Sequence, residues 1–369
     1  MLTGYPEARD LLQWEEMLKV GILTFHRCIN YGSYWQARCL AEGLASMGVE
    51  AVLLEHASDR VNRAEWRCAL QPLLPAPTPA EDYPLYRAKI RKFFGSFAAL
   101  PLSSPFSLED PAAMDDYPLV IVGSDEVWNL RHPWYGGYPL FYGEGLRCGR
   151  LASYAATFGN LASSERLEGW AEKLRGFSHI SVRDLNSGRL IRDTLGFEPE
   201  LVLDPCLQFP GAIVADTDGG REPDYVAVYG HSFPAWFRNA VRDWAKDRGY
   251  PLVSIGYRND WADAQWIDAG PEEFAGFIAG ARAVVTNFFH GCVFSLVNGK
   301  PFAGVLSDYR SSKIRDLTLT VGAGRHVMTE DMEPSHLDVI LDNPLPAAVS
   351  QRISSLRHAS SAYLSHVLQ

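Results

Sequence analysis

The chain has 369 residues, 47% of them apolar and 21% charged, with a formal net charge of −10. That length exceeds what one hydrophobic core usually supports and points to two domains of roughly 150–200 residues each. The composition excludes a disordered chain, and the acidic balance argues against nucleic-acid binding, which needs a basic face.

The opening stretch, MLTGYPEARDLLQWEEMLKV, carries acidic side chains and no apolar signal core, so no secretion signal is expected. Val20–Phe25 (VGILTF) predicts a strand, followed by a loop over His26–Gly32. Tyr34–Met47 predicts a helix with Leu40, Leu44 and Met47 on one face, ended by Gly48, and Glu50–Leu54 predicts a second strand. Such a β-loop-α-β opening is typical of an open parallel sheet. Residues 57–115, rich in proline and charge, predict a helical insertion with Leu85–Phe97 as one helix. Leu119–Val122 and Leu151–Phe158 predict further strands.

The second half repeats the rhythm. Strands are expected at Ile180–Val182, Leu201–Leu203, Tyr225–Tyr229, Leu252–Ile255, Ala283–Thr286 and Phe302–Val305. Helices are expected at Glu165–Phe177, Ala235–Asp247, Pro271–Ala281 and Cys292–Val297, then Pro346–Gln369 with Pro346 in its first turn. The expected division is an N-terminal domain over 1–163, a C-terminal domain over 164–345 and a terminal helix over 346–369. By analogy the fold class is α/β, with two Rossmann-like domains facing a central cleft in the GT-B manner. No run approaches the roughly 20 apolar residues of a membrane span. Six cysteines without CxxC spacing favour a reduced, cytoplasmic chain with no bound metal.

Ligands of open α/β sheets bind where strand C-termini meet loops, so polar residues just after strands are the candidates. In FHRCINYG, Asn30, Tyr31 and Gly32 either form an anion-binding entry to a helix or are turn chemistry alone. In GSDEVW, Ser124 and Asp125 lie at a strand end. Asp125 is a candidate base or hydroxyl acceptor, or else the cap of a helix starting at Glu126. Trp128 could stack on a sugar face, and Arg131 follows closely. Arg183 of SVRD suits bidentate anion recognition, or else forms a structural ion pair with Asp184. Asp204 of LVLDP orients or caps. In VTNFFHGCVF, Asn287, His290 and Gly291 mark a strand-to-helix turn. There the histidine either serves in acid–base chemistry and anion binding or merely caps the helix. Arg310 and Lys313 follow the next strand and could close over a phosphate, or lie in a solvated loop.

Taken in order, GILTF with NYG, GSDEVW, SYAATFG, SVRD, LVLDP, TNFFHG with KPF, and RSSKIRDL resemble the polysaccharide pyruvyl transferase family over about residues 20 to 320. The resemblance implies transfer of pyruvate from phosphoenolpyruvate (PEP), as donor substrate and without a cofactor, to a sugar hydroxyl pair as a cyclic ketal. It casts His290 as acid–base group, Arg183, Arg310 and Lys313 as the anion clamp, and Asp125 as the residue that positions or deprotonates the acceptor. A glycan, a lipid-linked sugar or a small glycosylated metabolite would be the acceptor. A lipid-linked one would bring peripheral membrane contact. Well-understood members carry an arginine two residues before the histidine, where this chain has Phe288. The alternatives are a nucleotide-sugar glycosyltransferase and a non-catalytic sugar-binding protein on the same fold.

Overall fold

A computed structural model describes residues 17–72, 74–161, 169–213, 224–307 and 311–369. β1 (Lys19–Leu23), α1 (Tyr31–Ser46) and β2 (Glu50–Leu53) form the expected opening unit. The insertion begins with β3 (His56–Ala57), α2 (Asp59–Leu70) and α3 (Tyr83–Phe97) and returns through β4 (Phe106–Ser107), which pairs with β3. β5 (Tyr117–Gly123) and β6 (Cys148–Tyr154) complete a parallel sheet in the order β2-β1-β5-β6.

α4 (Gly169–Leu174), β7 (Ser181–Val182), α5 (Leu185–Leu195), β8 (Glu200–Leu201) and α6 (Pro205–Gln208) follow. β7 pairs with β8, and bridges from Ala152 to His179 and from Ala156 to Val182 attach this pair to the edge of the first sheet. Residues 179–203, expected in the second half, thus extend the first sheet, and the chain passes to the second sheet after them rather than near 163. The short apolar runs SV and EL carry no signal for which sheet they join.

The second sheet is also parallel, in the order β11-β10-β9-β12-β13-β14. It is built from β9 (Val226–Tyr229), α7 (Ala235–Arg248), β10 (Leu252–Ile255), β11 (Ala264–Trp266), α8 (Pro271–Gly280), β12 (Ala283–Thr286), α9 (Phe289–Val297), β13 (Phe302–Val305), α10 (Ser311–Thr320) and β14 (Val327–Met328). α11 (His336–Leu341) and α12 (Ala347–Leu368) close the chain, with Pro346 just ahead of α12 rather than inside it. Four-residue strands buried at every position are what a sheet covered on both faces requires. Among the described residues no helix is long and apolar enough to cross a membrane.

The two sheets share one apolar core at their junction. α1 lies in it, which is why its residues are buried nearly all round. The Tyr31 ring stacks on Phe274 at 4.2 Å, its hydroxyl donates to the Ala269 carbonyl at 2.7 Å, and the Trp35 indole donates to the Pro271 carbonyl at 3.0 Å. α12 crosses back to the first sheet, where the Tyr363 hydroxyl donates to the Ser153 carbonyl at 2.6 Å. The insertion is fastened to the second half as well. Arg258 makes two hydrogen bonds to buried Asp82, at 2.5 and 2.7 Å.

Lys89 of α3 lies on the same seam. Its ammonium donates to the Gly256 carbonyl at 3.0 Å and sits over the rings of Tyr31 and Tyr257. Burial pushes its pKa from an ordinary 10.5 down to about 7. Between those values the unfolded chain binds more protons, so this group makes stability rise with pH from about 7 to 10.5, with the penalty standing in full below 7. In Lys89→Met, which keeps most of the stem, that rise is expected to flatten relative to wild type in denaturant titrations at several pH values. An identical slope in both proteins would show that Lys89 is charged in the native state.

Candidate functional site

The strand ends of the first sheet and the α9 turn of the second meet around one guanidinium. Arg183, just after β7, donates to Asp204 Oδ2 at 2.6 Å and to Asp125 Oδ1 at 3.3 Å. Its flat face lies over the Phe289 ring at 4.7 Å. Burial alone would lower the pKa of Arg183, but the carboxylates of Asp204, Asp125 and Asp184 hold it above its ordinary value. The structure therefore places Arg183 as a buried connector rather than an open anion clamp. Its expected partner Asp184 instead caps α5, accepting from the Ser187 amide at 2.7 Å.

Asp125 owes its position to a sharp turn. Gly123 has φ +128° and Ser124 φ +61°, a conformation uncommon for a residue with a side chain. The turn buries Ser124, whose amide donates to the Tyr154 carbonyl at 2.9 Å, and swings Asp125 into the cluster. There Asp125 accepts from the Ser33 hydroxyl at 2.7 Å. Glu126 starts a turn, not the helix considered from the sequence. Trp128 is fully buried, donates to the Phe141 carbonyl at 2.9 Å and packs on Phe158 and Phe177. It is a core residue, and the sugar-stacking role does not fit. Arg131 is exposed, with its amide held by Asn129 Oδ1 at 3.0 Å.

His290 is the second residue of α9, which begins at Phe289 rather than at Cys292. Its Nε2 lies 3.6 Å from Asp204 Oδ2, slightly beyond hydrogen-bond length, and has no hydrogen-bond partner among the described residues. Burial alone would raise the Asp204 pKa, but His290 and Arg183 hold it below the usual carboxylate range. Asp204 also caps α6 through the Cys206 amide at 3.0 Å. Nδ1 of His290 lies against Gly32, and a Cβ on Gly32 would run into the imidazole. The glycine of Asn-Tyr-Gly is thus required by a side chain from the other sheet. Asn30 is a helix cap, accepting from the amides of Gly32 at 2.8 Å and Ser33 at 3.2 Å. Tyr31, expected at the ligand, is spent on the junction core.

Gly291 is needed for packing, since a Cβ there would overlap Thr286 at the end of β12. The Asn287 amide donates to the His231 carbonyl at 2.7 Å, while its buried Oδ1 has no hydrogen-bond partner among the described residues. Phe288 meets the edges of the Tyr229, His231 and Tyr257 rings. Lys313, near the start of α10, is paired with Glu126 and feels the charge of Asp125. Arg310 lies outside the described residues. The side chains of Ser33, Glu126 and Phe289 went unassigned in the sequence. Glu126 and Phe289 lie inside the GSDEVW and TNFFHG motifs and Ser33 directly follows NYG, which is the one signal they carried.

The donor atoms of Asp204, Cys206 and His290 lie within 4.8 Å of one another, close enough to share a metal ion. Arg183 already holds the Asp204 oxygen, and burial pushes the Cys206 thiol well up, away from the thiolate a metal needs. As it stands the trio belongs to an ion-pair network: a carboxylate beside an imidazole, a guanidinium that fixes the carboxylate, and a second carboxylate near a paired lysine. Such a group can hold a proton on the imidazole and accept one at Asp125.

The sequence model of a family described as polysaccharide pyruvyl transferase matches residues 30–309. No curated protein matches the chain. Among solved structures, the UDP-GlcNAc 2-epimerase of Neisseria meningitidis bound to UDP-GlcNAc is 8% identical with TM-score 0.50, over 95% of this chain and 99% of that one. The S. aureus MnaA–UDP co-structure is 12% identical with TM-score 0.50, over 95% and 96%. At these identities the likeness is one of fold, and it bears out the GT-B-like pairing of two Rossmann-like units.

Replacing Arg183 with Met would strand two carboxylates, one of them fully buried, and is expected to cost about 3–5 kcal/mol. Urea unfolding measures this. A loss under about 1 kcal/mol would mean that the carboxylates are neutral or hydrated without their partner.

Proposed function

The chain belongs to the polysaccharide pyruvyl transferase family, and from that premise we propose that it transfers pyruvate from PEP to two hydroxyls of a sugar, forming a cyclic ketal and releasing phosphate. The observation that carries this reading is the pairing of His290 with Asp204 beside Asp125, at the join of the two sheets. Asp204 stabilises the imidazolium through Nε2. The proton carried by the imidazole, whose ring packs against Gly32, is the one handed over.

In this scheme His290 protonates the PEP methylene carbon, which becomes a methyl group and leaves positive charge on C2. A sugar hydroxyl forms a bond to C2 and gives its proton to Asp125. The bond from C2 to the phosphate oxygen then breaks, and a second hydroxyl closes the ketal. Of the two hydroxyl protons, one replaces the proton spent on the methyl group and the other leaves with phosphate. No redox partner is needed, and the acid–base contribution expected of such a histidine is about 10²–10⁴-fold.

Two of the five N–H donors of Arg183 are held by carboxylates. We assign the donor's negative charge instead to Lys313, which exchanges Glu126 for the phosphate, and to the N-terminus of α9. Phe288 fills the place of the family arginine with an aromatic cluster, so the load on Lys313 is greater. The acceptor is a glycan, a lipid-linked sugar or a small glycosylated metabolite.

Phosphate release from PEP with a panel of sugar acceptors tests this. His290→Ala is expected to lower turnover by about 10²–10⁴-fold with the fold intact. Gly32→Ala should lower it in the same direction by crowding Nδ1, and Lys313→Met should raise the KM for PEP more than it lowers kcat. Absence of PEP binding by calorimetry, together with no release for any acceptor, would sink the proposal. Thermal stabilisation by UDP in place of PEP would move the reading to a nucleotide-sugar enzyme.

A further inference from the structure

We propose that the outer face of the helical insertion docks on an anionic lipid surface. The insertion has two unlike faces. On α3, Tyr86, Lys89, Phe93 and Phe97 point inward, toward the junction. Three and four residues apart on the opposite side run Tyr83, Arg87, Arg91 and Phe94, all exposed. α2 behaves alike, with Val61 and Glu65 buried and Trp66, Arg67 and Leu70 exposed.

The two outer stripes line an open groove of about 840 Å³, whose walls include Arg67, Leu70, Tyr83, Arg87 and Arg91. At its flank Trp66 of α2 meets Phe94 of α3 edge to face at 5.7 Å, although these rings remain 43% and 37% exposed. Exposed aromatic and aliphatic side chains gathered at one spot call for a partner. Within the described residues the guanidinium groups of Arg67, Arg87 and Arg91 make no ion pair that would neutralise the groove. In a chain of net charge −10, three arginines gathered among exposed rings give this groove a local positive charge. Aromatic rings that settle at the headgroup boundary, flanked by arginines that meet phosphates, are the chemistry of an interfacial membrane contact. An acidic protein would satisfy the arginines but leave the apolar stripe less well matched. The inference stands apart from pyruvyl transfer except in one respect: if that reading holds, this face would bring a lipid-linked acceptor to the first sheet.

The experiment is co-sedimentation of the full chain with vesicles of phosphatidylcholine alone or with about one third phosphatidylglycerol. Binding is expected only to the anionic vesicles, and it should weaken as salt is raised. R67E/R87E/R91E is expected to weaken it about a hundredfold, with R67Q/R87Q/R91Q as the milder set if the reversals do not fold. W66S/F94S should weaken it about tenfold. All three variants should retain phosphate release with a soluble acceptor, so failure of docking and failure of the transfer reading are told apart. Equal binding to neutral vesicles, no binding, or full binding by the arginine variants would overturn the proposal. Loss in the arginine variants with none in W66S/F94S would overturn it in favour of a soluble polyanion.

Discussion

The contact on which the site depends is the buried guanidinium of Arg183 between Asp204 and Asp125, with Phe289 against its face. Taking these charges out of water is costly, and only close, well-aimed partners offset the cost. The arrangement therefore fixes three strand ends of the first sheet relative to one another. Because Phe289 precedes His290 on α9, it also fixes the turn that carries the histidine. Asp204 lies beside both partners, guanidinium on one side and imidazole on the other, so a shift of Arg183 would be felt at His290.

The same constraint explains why α1 is buried nearly all round. Its first turn must come close enough for Gly32 to touch His290 and for Ser33 to reach Asp125. That proximity brings Tyr31 and Trp35 into the second half, where ring stacking and two carbonyl hydrogen bonds hold them. The junction is thus part of the site, and α1 ties the two sheets together around it.

Charge balance follows from this geometry. Arg183 and Lys313 meet Asp204, Asp125 and Glu126, so both described cations of the cluster are already paired. Under the proposed reading, an anionic donor would displace a carboxylate from one of them. Lys313 holds a single partner where Arg183 holds two, and it is the cation more easily released. The insertion contributes differently, with one face zipped to the second half through Arg258, Asp82 and Lys89 and the other turned outward, where Arg67, Arg87 and Arg91 make no ion pair among the described residues.

The sequence by itself determined the two series of parallel strands, because short apolar runs bounded by turn residues carry that signal locally. It determined the Asn30 cap and the ordered motifs that place the chain in its family. It also singled out Asp125, Asp204, Arg183 and His290, since each follows a strand. What it did not carry was pairing. Whether Arg183 is open or paired, whether Trp128 faces a ligand or the core, and which sheet receives residues 179–203 all depend on segments far apart in the chain. Lys313 and Glu126 are 187 residues apart, and Arg183 and Asp125 are 58 apart. A side chain's type states what it can bind, but burial and neighbours decide what it does bind, and those arise only when the two sheets close on α1.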